Sequence, residues 1–67
     1  MQTEPVTVEE PKHRVSQLTT SELARYRREL EHALATLPED APVRAVLRTK
    51  LDAVLAEIED RARIARA

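Results

Sequence analysis

From Leu23 onward, apolar side chains recur every three or four positions: Leu23, Tyr26, Leu30, Ala33, Leu34 and Leu37. This spacing lines one face of an α-helix. A second series, Val43, Leu47, Leu51, Val54, Leu55, Ile58 and Ala62, repeats the pattern. Between them lies Pro38-Glu39-Asp40-Ala41-Pro42. Pro38 cannot continue the first helix, because it lacks an N–H and restricts the residue before it. The pattern predicts a helix over about 20–37, a turn at 38–42 and a helix over about 41–64. A connection this short makes the two helices antiparallel neighbours.

The start of the first helix is marked twice. Thr19-Thr20-Ser21-Glu22 is a capping box, in which the Thr19 hydroxyl and the Glu22 carboxylate each take the other residue's backbone N–H. Leu18 and Leu23 occupy the two positions of a hydrophobic staple around it. For the second helix, Asp40 is the expected N-cap, with Pro42 tolerated in the first turn. Glu57–Arg61 and Glu59–Arg63 have the favourable acid-first spacing of four. Val46 and Ile64 fall off the main stripe, together on a second side of the helix.

Residues 1–17 show no sustained period and hold Pro5 and Pro11, so they are expected to form a disordered or extended tail, with the hairpin occupying 18–67. Within the tail, Pro5-Val6-Thr7-Val8 alternates weakly, as a segment adding to a partner's sheet edge would. The opening Met1-Gln2-Thr3-Glu4-Pro5 has neither the basic nor the apolar region of a secretory leader. No apolar run approaches the ~18 residues of a membrane span.

Composition narrows the functional classes. The chain has 67 residues, room for one domain, and a formal net charge of −1 from 11 basic and 12 acidic side chains. Balanced charge argues against a nucleic-acid or membrane-surface binder. There is no cysteine, which excludes disulfides and thiolate zinc sites and suits a reducing cytoplasm. There is no glycine for a phosphate-cradling loop, and Tyr26 is the only aromatic platform.

Candidate chemistry is sparse. Glu29-x-x-His32 has the spacing used in di-iron bundles, but both residues lie off the apolar stripe, so no metal or cofactor is expected. Ser21 belongs to the capping box and His13 to the tail, so nothing assembles a nucleophile with its base. An enzyme, or a small-molecule pocket inside two helices, is not expected. Arg25, Arg28, Arg44 and Arg48 form a candidate outer contact face for an anion or acidic surface.

The expectation is therefore an all-α, non-catalytic protein–protein interaction module. Its packing stripe is Leu23, Tyr26, Leu30, Leu34, Leu37, Val43, Leu47, Leu51, Val54, Leu55 and Ile58. A lone hairpin is expected to leave half of each stripe wet. The partner is then a second copy, giving a four-helix, coiled-coil-like bundle dimer, or a larger protein that receives the hairpin. The alternative is a small regulator of transcription or of a nucleic-acid enzyme, acting through the arginine face. From Leu18 to about Arg63 the chain resembles short helical-hairpin proteins of high-GC bacteria, on its capping and leucine periodicity. That resemblance implies an architecture and no activity.

Overall fold

The computed structural model describes residue 11 and residues 13–66. Of the expected tail, residues 1–10, with the alternating segment at 5–8, and residue 12 lie outside the described residues. Among the described residues the regular structure is entirely helical: a short 3-10 turn at Val15–Gln17, then α1 at Thr20–Thr36 and α2 at Val43–Arg66. The two long helices pack against each other as a hairpin. The molecule is elongated, with a radius of gyration of 13.5 Å. A compact chain of this length would have about 11 Å.

The start of α1 follows its local signals. The Glu22 N–H donates to the Thr19 hydroxyl at 3.1 Å, and the Thr19 N–H donates to the Glu22 carboxylate at 2.8 Å. Leu18 and Leu23 are both buried in the core on either side of this box. The helix ends at Thr36, and Leu37 turns to an extended conformation ahead of Pro38.

The turn differs from expectation at Asp40. The Ala41 N–H donates to the Pro38 carbonyl at 3.1 Å, closing a four-residue turn that contains Asp40. The first bonds into α2 then come from Arg44 to the Ala41 carbonyl and from Ala45 to the Pro42 carbonyl, at 3.1 and 3.3 Å. The helix therefore begins at Val43, two residues later than the start at about 41 expected from sequence. The cause is Pro42, which disfavours the helical region for Ala41 and so delays entry. At the other end α2 continues to Arg66.

Eight apolar residues form the buried core: Leu18, Leu23, Tyr26, Leu30, Ala33, Leu47, Leu51 and Val54. Val15, Leu34, Leu37, Leu55 and Ile58 are half-buried against it. The hairpin thus closes more of its own stripe than the pattern alone suggests. Val43 is the exception: it lies at the first residue of α2 and is 45% exposed.

The stripe closes because the segment before α1 contributes to it. The helix α2 has 24 residues against 17 in α1, an overhang of about 10 Å. The 3-10 turn packs on α2, half-burying Val15, so residues 15–17 are not the plain extended tail expected of them. Arg61 holds this segment. Its Nη2 donates to the Leu18 carbonyl at 2.7 Å and reaches those of Val15 and Ser16 at 3.4 Å, while its Nε donates to the Glu57 carboxylate at 2.8 Å.

Candidate interaction surface

The four arginines proposed as an outer contact face do not act as one surface. Arg44 is half-buried and bends back to α1, where its Nη1 donates to the carbonyls of Leu34 and Leu37. Those carbonyls stand at the C-terminal end of α1, where no further turn of helix supplies donors. Arg44 is therefore a clamp on the helix end, not an outward contact. Its long stem lets a residue near the edge of the wheel reach the neighbouring helix, which spacing alone does not reveal.

The other three face solvent with their charge largely answered. Arg25 pairs with Glu29 at 3.6 Å and Arg48 with Asp52 at 3.4 Å, while Arg28 is exposed. Arg27 pairs with Glu31 at 3.3 Å. Near the end of α2, Arg63 lies 3.4 Å from Asp60 and 3.9 Å from Glu59. Exposed pairs of this kind contribute at most ~1 kcal/mol each. Their collective effect is a surface of alternating sign rather than a basic patch.

The Glu29-x-x-His32 spacing is not brought into a ligand set. His32 is exposed and Glu29 is engaged by Arg25. Among the described residues no group of three or more His, Asp or Glu is placed to hold a metal ion. No described helix is long and apolar enough to cross a membrane. The Glu22 carboxyl is perturbed. The backbone N–H of Thr19, and then its hydroxyl, hold it below the usual glutamate value, an effect that belongs to the helix cap.

Among the described residues, the large apolar side chains left exposed are Val43, at the start of α2, and two further along the same helix. Val46 is 54% exposed and Ile64 is 73% exposed. At 100° per residue both sit about 120° around the helix from the centre of the buried stripe. Ala53, also exposed, falls on the same line. Lys50, Glu57 and Asp60 complete it, spaced alternately by four and three residues. That alternation is the spacing of a helix–helix seam.

No protein-family model matches the chain, and no curated protein or solved structure shows significant similarity to it.

Proposed function

We propose that this protein is a small, non-catalytic protein–protein interaction module, a self-closed helical hairpin whose outer α2 side meets the partner. One observation carries this reading. The stripe Leu23, Leu30, Leu51 and Val54 is buried within one chain, while Val46 and Ile64 stay exposed on a single line. Burying an apolar side chain of this size contributes about 1.5–3 kcal/mol, and the fold leaves most of that unrealised at these two positions. A chain without cysteine also suits a cytoplasmic setting. The pairing of Arg25 and Arg48 and the inward turn of Arg44 weigh against a nucleic-acid regulator.

The test is far-UV circular dichroism with solution mass, across a dilution series of the untagged protein. The expected result is full helicity at the lowest concentration, whatever the mass. A weakly helical monomer that gains helix only on assembly would refute the proposal. The leucine stripe would then be the binding surface.

A further inference from the structure

Building on that reading, we infer that the outer line of α2 is the seam of an antiparallel, two-fold symmetric contact with a second copy of this chain. The line is self-complementary in one direction only. With two α2 helices antiparallel and the two-fold axis level with Leu55, Val46 faces Ile64 of the second copy, Lys50 faces Asp60, and Ala53 faces Glu57. Each pairing occurs twice, as two-fold symmetry requires. Val46 and Ile64, the two large apolar residues on the line, cover each other, and opposite charges meet. Small Ala53 leaves room for Glu57, which keeps its bond to Arg61.

The in-register parallel arrangement fails on the same residues. It sets Lys50 on Lys50, Glu57 on Glu57 and Asp60 on Asp60, and like charges in contact are repulsive. The helix α1 packs on the buried stripe, about 120° away, and leaves Val46, Ala53, Asp60 and Ile64 of the line exposed, while Lys50 and Glu57 are half-buried. Asp60 is reachable: its pair with Arg63 is solvent-exposed on both sides, at 58% and 69%. Lys50 has an interaction within its own chain, and an ammonium with three donors can add a second.

The chain contains no cysteine, so single thiols report the geometry directly. Val46→Cys and Ile64→Cys both fall at exposed positions that the hairpin tolerates. In the antiparallel dimer two copies of position 46 are separated by about 27 Å along the seam, as are two copies of position 64. Under oxidation each variant alone should stay largely unlinked, and a mixture should give the 46–64 heterodimer. A second measurement uses charge. Lys50→Glu and Asp60→Lys should each weaken dimerisation about tenfold, and the double variant should recover it, since a tenfold change is only about 1.4 kcal/mol.

Prevalent homodisulfides from either variant alone would overturn the antiparallel register. So would charge-reversal effects that simply add in the double variant. A fully helical chain that stays monomeric at all concentrations would overturn self-pairing while leaving the interaction-module reading intact with a different partner. Loss of helix on dilution would instead remove that reading itself.

Discussion

Leu30 is the most informative single position in the fold. It is fully buried, at 0% exposure, in the middle of α1. Leu30→Ala removes three carbons, worth about 2.4 kcal/mol at ~0.8 kcal/mol each. Incomplete collapse of the cavity adds to this, giving about 3 kcal/mol within the usual range for such changes. A core of this size rarely supplies more than about 3–5 kcal/mol in total, so the variant should be close to unfolded at room temperature. Val46→Ala is the control. With the side chain 54% exposed, its two lost carbons cost roughly 0.7 kcal/mol. The better helix propensity of alanine returns most of that. Urea titration followed by circular dichroism, at a concentration where the chain is monomeric, reads both. Equal costs at the two positions, or a Leu30→Ala midpoint within error of the parent, would refute the division into closed stripe and free outer line.

Three further outcomes follow from single contacts. Arg61→Met keeps the stem but removes the donors to Val15, Ser16 and Leu18, so it should cost about 1–2 kcal/mol. Amide exchange should accelerate at 15–18 far more than in mid-α1, and uniform acceleration would contradict a local clasp. Thr19→Ala should cost about 1 kcal/mol through loss of the cap, readable by the same urea titration. The Glu22 carboxyl is lowered on folding, so its contribution is present above the usual glutamate value and is lost as pH falls through the folded one. Glu22→Gln can still accept the Thr19 N–H, and should flatten that acid-side loss in a plot of urea midpoint against pH; an unchanged slope would reject the assignment.

How far the sequence was legible depends on the reach of each interaction. The capping box and the pairs Glu57–Arg61 and Glu59–Arg63 span three or four residues, so spacing alone identifies them. The stripe was legible because helical periodicity and burial coincide at Leu23, Leu30, Leu47, Leu51 and Val54. The start of α2 was misplaced at Asp40 because a good capping residue outweighed the restriction that Pro42 puts on Ala41. The clasp of Arg61 on Leu18 joins residues 43 positions apart. Its Glu57 pair gave a sufficient local explanation for that arginine and hid the second role. Arg44 was misread for a related reason, since the wheel locates the Cα and not the end of a flexible side chain.

Arg44 and Arg61 together explain why the proposed contact surface lies outside the leucine stripe. Arg44 ties the turn end of the hairpin by bonding the last carbonyls of α1, and Arg61 ties the open end by bonding the carbonyls that precede α1. With both ends held and Leu18 folded into the core, the stripe that looked like an open half-interface is largely occupied by the chain itself. The exposed residues Val46 and Ile64 then have little purpose in the fold, and β-branched residues lower helix propensity relative to alanine. One such residue would be ordinary. Two on a single line, at opposite ends of a charge sequence that complements itself only when reversed, are what the proposed contact with a second copy would account for.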